Sequence, residues 1–153
     1  ANSTDVKDIL RLLIELAVYE KDPDAVKITE KDLLEDGFRD NPRYECFIAE
    51  INSEIVGLAF YTPRYSTWDG KTLHLEDLVV TEKMRGKGIG LSLYKSFLKE
   101  AKKQGVNRVE WSVLDWNKPA IDFYLKSGAL IDDYSKWKIV RMNKSLIEKF
   151  LSS

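Results

Sequence analysis

The spacing of apolar residues changes along the chain and separates helix-like from strand-like segments. Near the N-terminus, apolar residues recur three and four positions apart, which is typical of one face of an amphipathic helix. Ser3 or Thr4 is expected to cap this helix, and Pro23 closes the region. Its apolar face comprises Val6, Ile9, Leu10, Leu13, Ile14, Leu16 and Ala17. A shorter helix is predicted through Leu33, after a capping-box variant at residues 29–32.

After these helices the period shortens to two, which predicts β-strands. The predicted strands cover Tyr44–Glu50, Ile55–Tyr61, Leu73–Val80, Arg108–Leu114 and Lys136–Met142. Further helices are predicted at Ile89–Gln104, Ala120–Lys126 and Ser145–Leu151. Asn52-Ser53 joins the first two strands as a hairpin turn, and Gly128 ends the penultimate helix. This order predicts one α/β domain over residues 1–153, with a mixed sheet and helices on its faces.

Composition excludes several classes of protein. The 153 residues include 24 Lys and Arg against 25 Asp and Glu, and this balance argues against a nucleic-acid-binding protein. No apolar run reaches the roughly 18–20 residues that a membrane span needs, and no secretory signal is recognisable. Cys46 is the single cysteine, and the Cys/His spacing of a zinc site is missing. We therefore expect a cytoplasmic protein with no metal and with no nucleic-acid or membrane partner.

A glycine-rich segment, Met84–Gly90, lies between a predicted strand and the long helix that follows. Its three glycines allow a tight turn with positive φ and the close approach of a ligand. The free N–H groups at the start of the helix and the helix dipole attract an anion, and Arg85 and Lys87 add positive charge. In physical terms this segment is a phosphate or pyrophosphate site.

The spacing of the glycines narrows the choice of phosphate ligand. A Walker A loop requires Ser or Thr after its lysine, but Gly88 follows Lys87. The Rossmann fingerprint has the spacing GxGxxG, whereas this segment has GxGxG. Glu110, the acid about 20 residues further on, falls inside a predicted strand rather than at its end. From this motif alone, a glycine-rich turn that binds nothing stays open as the alternative.

The pattern R-x-x-G-x-G, formed by Arg85, Gly88 and Gly90, resembles the acetyl-CoA loop of the GNAT acetyltransferases. Longer strings, TEKDLLEDGF, LHLEDLVV, RGKGIG and LDWNKPAIDFY, resemble the diamine (spermidine/spermine) acetyltransferase family, from the first helix to Trp137. The resemblance implies the GNAT fold, with a mixed, mostly antiparallel sheet, helices on both faces and a splayed strand at the acetyl-CoA site. It also implies acetyl-CoA as co-substrate, a small-molecule amine as acceptor and a homodimer.

The resemblance also implies roles for individual residues. The pantetheine arm and the thioester are held by backbone groups of Leu78, Val79 and Val80. The pyrophosphate is cradled by Arg85, Gly86, Lys87, Gly88, Ile89, Gly90 and Leu91. The far side of the CoA arm is lined by Asn117, Pro119 and Ala120. The amine substrate is bound by Tyr19, Glu20, Glu76, Glu110, Trp111 and Ser112. The catalytic residues are Tyr124, the general acid beside the sulfur of CoA, and Glu76, which faces the amine.

These roles describe a direct acyl transfer from a thioester to an amine. A free amine attacks a thioester without a covalent enzyme intermediate, but a lysine-like amine has a pKa of about 10.4 and must first lose a proton. A carboxylate can take that proton through water, and the phenol of Tyr124 can protonate the leaving sulfur. In the plainer interpretation, Tyr124 packs in the core. One of Glu76 and Asp77 then faces water, because neighbours in a strand point to opposite faces.

At several positions this chain differs from the family pattern, and these differences bear on which amine it acetylates. The polyamine branch has an acid between the Tyr and Trp of a YDPW-like segment, where this chain has Ser66 in Tyr65–Trp68. The branch acting on thialysine-like amino acids is similar to YSTW, and also to VLDWN at Val113–Asn117. Ser135 replaces a second family acid. Short diamines or thialysine-like amino acids are therefore the expected substrates. Acetylation of a protein lysine or N-terminus, and a CoA-binding sensor without catalysis, are the alternatives.

Overall fold

The computed structural model describes residues 1–132 and 139–152. The helices are α1 (Val6–Tyr19), α2 (Glu30–Gly37), α3 (Ile89–Gln104), α4 (Lys118–Lys126) and α5 (Lys144–Leu151). The strands are β1 (Glu45–Ile51), β2 (Glu54–Ser66), β3 (Gly70–Val80) and β4 (Arg108–Glu110). Short 3₁₀ turns are formed by Ser3–Asp5 and Glu82–Met84. The chain divides into two compact units, Ala1–Ser112 and Val113–Ser153.

The sheet of the first unit is mixed and mostly antiparallel, as predicted. Its strand order is β1-β2-β3-β4, with antiparallel pairs β1–β2 and β2–β3 and a parallel pair β3–β4. Asn52 and Ser53 join β1 to β2 with φ angles of 52° and 64°, the backbone conformation of a tight hairpin turn. The predicted hairpin is confirmed.

Helices cover both faces of this sheet because side chains alternate along β2. Leu58 and Phe60 belong to a buried cluster that includes Ile9 of α1. Tyr61 points to the other face, where its ring centroid lies 5.3 Å from that of Phe97 in α3. The core therefore lies in two layers, one under α1 and one under α3.

The strands predicted at Ile55–Tyr61 and Leu73–Val80 extend further, to Glu54–Ser66 and Gly70–Val80, and two other predicted strands are shorter than expected or not formed. β4 ends at Glu110 rather than at Leu114, because its parallel ladder spans only residues 72–74 of β3. Of the strand predicted at Lys136–Met142, residues 136–138 lie outside the described residues, and residues 139–142 form no strand. Beyond the short ladder, β3 and β4 no longer pair, so the sheet splays at this point as the GNAT resemblance implies.

The cap predicted for α1 is wrong. Ser3 and Thr4 lie in the first 3₁₀ turn, which Asn2 caps by accepting a hydrogen bond from the Thr4 N–H at 2.9 Å. Asp5 completes a capping box by accepting from the Asn2 N–H at 2.7 Å, and α1 follows this turn directly. The other predicted cap is confirmed, since a capping box at residues 29–32 opens α2.

Candidate active site

The glycine loop between β3 and α3 has the conformation that its sequence predicts. Gly86 and Gly88 have φ angles of 75° and 80°, which residues with a side chain rarely adopt. Gly88 is the N-cap of α3, so the N–H groups of Ile89, Gly90 and Leu91 have no acceptor within the helix, and the Ser92 N–H is the first to bond, to the Gly88 carbonyl. Apart from the adjacent residues of the chain, no described atom lies within 4 Å of the position that a Cβ would take on either glycine. The loop therefore combines open space with outward N–H groups, which is the geometry of an anion site.

Two cations flank these N–H groups. Arg85 is held in place, because its Nε donates to the Val80 carbonyl at 2.9 Å and its guanidinium lies 4.6 Å from the centre of the Tyr19 ring. Lys87 is exposed, with its Nζ 3.4 Å from the sulfur of Met84. Tyr19, for which the sequence predicts a substrate contact, thus supports the basic side chain of the loop.

Next to this loop, β3 has an open edge. β2 pairs with one edge of β3 as far as Val80, whereas the parallel ladder on the other edge stops at His74, opposite Glu110. On that side, no strand in the described part of the chain pairs with Leu78 or Val80, whose backbone groups face this edge, although the Val80 carbonyl accepts from Arg85. An open strand edge binds an extended ligand through main-chain hydrogen bonds.

A β-bulge in β3 brings two consecutive acids to one face of the sheet. Glu76 is the extra residue of the bulge, as the flanking cross-strand pairs show: Phe60 with Asp77, and Tyr61 with Leu75. The Glu76 carboxylate is exposed and accepts a hydrogen bond from the Thr62 hydroxyl at 3.0 Å. Thr62 and Phe60 lie two residues apart in β2, so their side chains point to the same face of the sheet. Glu76 contacts Thr62 and Asp77 pairs with Phe60, and the two acids therefore lie on that face as well. A regular strand would have separated them.

Asp77 is a residue that the sequence pattern did not single out. It is partly buried, and this burial, followed by the charges of Glu20 and Glu76, raises the pKa of Asp77 to about 6. Glu20 follows α1 directly, and partial burial raises its pKa as well. Among residues 1–132 and 139–152, no lysine or arginine forms an ion pair with Asp77 or Glu20. Two neighbouring acids without such a partner favour the binding of a cationic ligand.

The predicted substrate residue Glu110 lies in a ladder of charged side chains across β2, β3 and β4. Its carboxylate is 2.6 Å from Arg64 and 3.0 Å from Arg108, so its charge is already neutralised. The ring of His74 lies between two acids, with one nitrogen 3.8 Å from Glu76 and the other 3.9 Å from Glu110. The structure thus brings Glu76 and Glu110 to either side of one imidazole, and among the described residues Glu110 pairs with two arginines whereas Glu76 pairs with none.

Other residues predicted for the site lie on or beside α3. Gly90 has room for a methyl group, since a Cβ there would stand 3.7 Å from the nearest side chain. Leu91, in the first turn of α3, is 43% exposed. Trp111 packs edge-on against Tyr94 of α3, with 5.8 Å between ring centroids. Ser112 is exposed and ends the first unit.

The second unit contains four predicted residues on or before α4. Asn117 is the N-cap of this helix, where its side chain accepts from the Ala120 N–H at 3.4 Å. Pro119 lies in the first turn, where the N–H that proline lacks would have no acceptor within the helix. Tyr124 is buried, and its ring lies 5.3 Å from that of Phe123. The string LDWNKPAIDFY therefore forms a capped helix, and the contacts of these residues with CoA stay a prediction.

Three further observations bear on other kinds of chemistry. Burial raises the pKa of the Cys46 thiol to about 12, so this thiol stays protonated at neutral pH. The described residues contain no group of three His, Cys, Asp or Glu side chains arranged to hold a metal ion. None of the described helices combines the length and the apolar composition that crossing a bilayer requires.

Comparison with known proteins agrees with this geometry. The chain is 43% identical over 137 residues to the thialysine N-epsilon-acetyltransferase of Bos taurus, covering 84% of this chain and 81% of that protein. It is 39% identical over 152 residues to the human spermidine/spermine N(1)-acetyltransferase-like protein 1, covering 94% of this chain but 22% of that longer protein.

Solved structures agree on the fold. An integron cassette protein from the mobile metagenome of V. cholerae superposes with a TM-score of 0.78 at 24% identity, covering 100% of this chain and 95% of that one. The model of the family described as "Acetyltransferase (GNAT) family" matches residues 8–129, which include the splayed strand, the glycine loop and α4. The chain therefore belongs to the GNAT acetyltransferase family and is an N-acetyltransferase.

Proposed function

We propose that this chain transfers the acetyl group of acetyl-CoA to a primary amine of a small cationic molecule, either a diamine or a thialysine-like amino acid. One observation carries the proposal. The splayed strand β3 leads from Asp77 and Glu20, two acids that pair with no lysine or arginine of the described residues, to a glycine loop at residues 85–90 with the geometry of an anion site. A cationic amine and an anionic CoA thus have complementary charge at the two ends of one short segment.

The residues of the first unit fit CoA. The pyrophosphate would lie against the N–H groups at the start of α3, beside Arg85 and Lys87, in the space that Gly86 and Gly88 leave open. The amide groups of the pantetheine arm would pair with the open edge of β3 at Leu78–Val80. When bound, acetyl-CoA supplies the thioester that the amine attacks.

The amine must lose a proton before it attacks. Glu76 and Asp77 share the face of β3 near Glu20, and both are candidates to accept that proton directly or through water. Burial and the charges of Glu20 and Glu76 raise the pKa of Asp77 to about 6, so its carboxylate is more basic than an aspartate in water, while the Glu76 carboxylate is exposed. For Tyr124 we propose the role that the resemblance implies, proton donation from its hydroxyl to the departing sulfur.

The structure around Ser66 supports a short substrate. Ser66 accepts hydrogen bonds from the Trp68 N–H at 3.2 Å and the Asp69 N–H at 3.1 Å, so it stabilises the β2–β3 turn and presents no negative charge. A polyamine with a third ammonium would need an acid further along. The relative from Bos taurus is named for acetylating thialysine, which has one side-chain amine and an amino-acid head group. We therefore propose short diamines and thialysine-like amino acids as the preferred class.

A turnover assay with acetyl-CoA tests the proposal. Release of free CoA thiol would be measured with putrescine, spermidine, spermine, lysine, thialysine and a lysine-containing peptide. We expect turnover with thialysine or a short diamine at a kcat/KM at least tenfold above that for the peptide. Turnover of the peptide alone would replace the proposal with protein acetylation. CoA binding without turnover of any amine would indicate a sensor.

We also propose a homodimer, on the sequence resemblance to the diamine acetyltransferases. Light scattering coupled to size exclusion would measure the mass of the purified chain against the 17.7 kDa of one copy. A mass of two copies is expected. A mass of one copy across the micromolar range would contradict the dimer and leave the proposed reaction unaffected.

A further inference from the structure

The segment that leads from β3 into the glycine loop is held by a side chain of another element, Glu15 of α1. One carboxylate oxygen of Glu15 accepts a hydrogen bond from the Thr81 hydroxyl at 2.9 Å, and the other accepts from the Glu82 N–H at 2.9 Å. These are consecutive residues, and Glu82 opens the 3₁₀ turn that ends immediately before Arg85. Hydrogen bonds to a carboxylate are stronger than neutral ones, so this two-point contact fixes the start of the loop.

Thr81 and Glu15 each make a further contact that links them to the start of β2. The Thr81 N–H donates to the Val56 carbonyl at 2.9 Å, and the residue is buried. Arg11, one turn before Glu15, donates to the Ile55 carbonyl at 2.6 Å and lies 3.9 Å from the Glu15 carboxylate. α1, the start of β2 and the end of β3 are thus tied together at the point where the loop begins.

The loop itself has few contacts of its own. Apart from the adjacent residues, nothing in the described chain lies within 4 Å of the Cβ positions of Gly86 and Gly88. Arg85 is the next tethered residue, and its guanidinium lies over Tyr19. Tyr19 comes one helical turn after Glu15, on the same face of α1. The loop is therefore positioned by α1 through two contacts rather than by packing of its glycines.

From these contacts we infer that Glu15 is a positioning residue for the CoA site, an inference that rests on the proposed function. It sets where the N–H groups of the loop and of α3 stand relative to the open edge of β3. It touches Thr81 and Glu82 rather than the co-substrate or the amine. Its loss should therefore weaken the binding of CoA and leave the acetyl-transfer step and the binding of the amine nearly unchanged.

A matched pair of variants tests this. Glu15→Ala and Asp8→Ala each remove one acid that neighbours Arg11 on α1, but only Glu15 contacts the loop. CoA itself is the probe, and its Kd is measured by titration calorimetry. Two charge-assisted hydrogen bonds are lost, so we expect the Kd for CoA to rise about tenfold or more in Glu15→Ala and to stay within about twofold in Asp8→Ala.

Two further measurements separate positioning from simple loss of stability. Thr81→Val removes one of the two donors, and the double variant with Glu15→Ala should raise the Kd for CoA by less than the product of the single effects, because both changes remove the same contact. With an amine that is turned over, Glu15→Ala should raise the KM for acetyl-CoA while kcat and the amine KM stay within about twofold. Should Glu15→Ala fail to fold, the Thr81→Val and Thr81→Ser pair gives the same comparison.

Each outcome decides a separate question. If the unaltered chain binds CoA and both Glu15→Ala and Thr81→Val bind it equally well, the positioning role is overturned and the proposed function stands. An equal loss in Asp8→Ala would also overturn it, because the effect would then come from Arg11 or from α1. If the unaltered chain does not bind CoA, the proposed function is overturned and the inference with it.

Discussion

The glycine loop and the acidic bulge lie within fifteen residues of one another, at 76–90, and they are built in opposite ways. The loop is basic and open, and it depends on backbone conformation, with Gly86 and Gly88 at positive φ. The bulge is acidic and partly buried, and it depends on neighbours from other elements, since Glu20 of the α1 end acts on Asp77. A ligand site made of backbone geometry is local in the sequence, whereas one made of burial and charge is assembled by the fold.

The largest expected effect is on kcat. It concerns the proton given to the departing sulfur of CoA, which in the proposed reaction comes from Tyr124 and from neither of these two regions. Tyr124→Phe keeps the ring in its buried position and removes the hydroxyl. We expect kcat to fall by about 100-fold or more, the usual range for a general acid, with little change in Tm. Steady-state kinetics at saturating acetyl-CoA and amine would measure it. A kcat equal to that of the unaltered chain would assign Tyr124 to packing alone.

Within the acidic region, the two neighbouring carboxylates should differ. Asp77→Asn removes the partly buried charge, and we expect kcat/KM for a short diamine or thialysine to fall about tenfold or more, since a cation contact in a partly buried site is worth about 1–4 kcal/mol. Glu76→Gln should lower kcat/KM by less and flatten its rise with pH. Equal rates and pH profiles for Asp77→Asn and the unaltered chain would remove Asp77 from the site.

Within the glycine loop, two alanine substitutions distinguish a glycine that needs a positive φ from one that lies in the helix. Gly88→Ala forces a left-handed residue and should destabilise the fold by about 1 kcal/mol, and it should weaken CoA binding about tenfold. Gly90→Ala has room for its methyl group and should stabilise α3 by up to about 1 kcal/mol. Denaturant unfolding and CoA titration would measure both. Equal stability of Gly88→Ala and the unaltered chain would contradict the backbone argument.

The last prediction concerns stability rather than activity, and it is the dependence of the free energy of unfolding on pH. The folded chain holds the Asp77 proton up to a pH of about 6, whereas the unfolded chain releases it at about pH 4. The folded state thus binds more protons between these values, and the free energy of unfolding should fall by about 1–3 kcal/mol as the pH rises from about 4 to about 6. Asp77→Asn should lack this fall. Urea melts across this pH range would test it, and parallel profiles for both proteins would contradict it.

Much of the fold could be predicted because it follows local rules. The two-residue turn at Asn52-Ser53, the capping box at residues 29–32 and the bounds of α3 all depend on neighbours in the chain, and the structure confirms them. The glycine loop belongs to the same class, since its φ angles and helix start are encoded in seven consecutive residues. The roles of Asn117 and Tyr124 came from resemblance and not from such rules.

What only the tertiary structure decided is the acidic half of the site. Period-two alternation places Glu76 and Asp77 on opposite faces, and the bulge that reverses this arises from pairing with β2. The length of β4 was set by how far β3 runs parallel to it, which no pattern within residues 108–114 encodes. Local backbone preferences act over a few residues and can be read in order. Burial, cross-strand register and the pKa of Asp77 depend on residues far apart in sequence, so they exist only once the chain has folded.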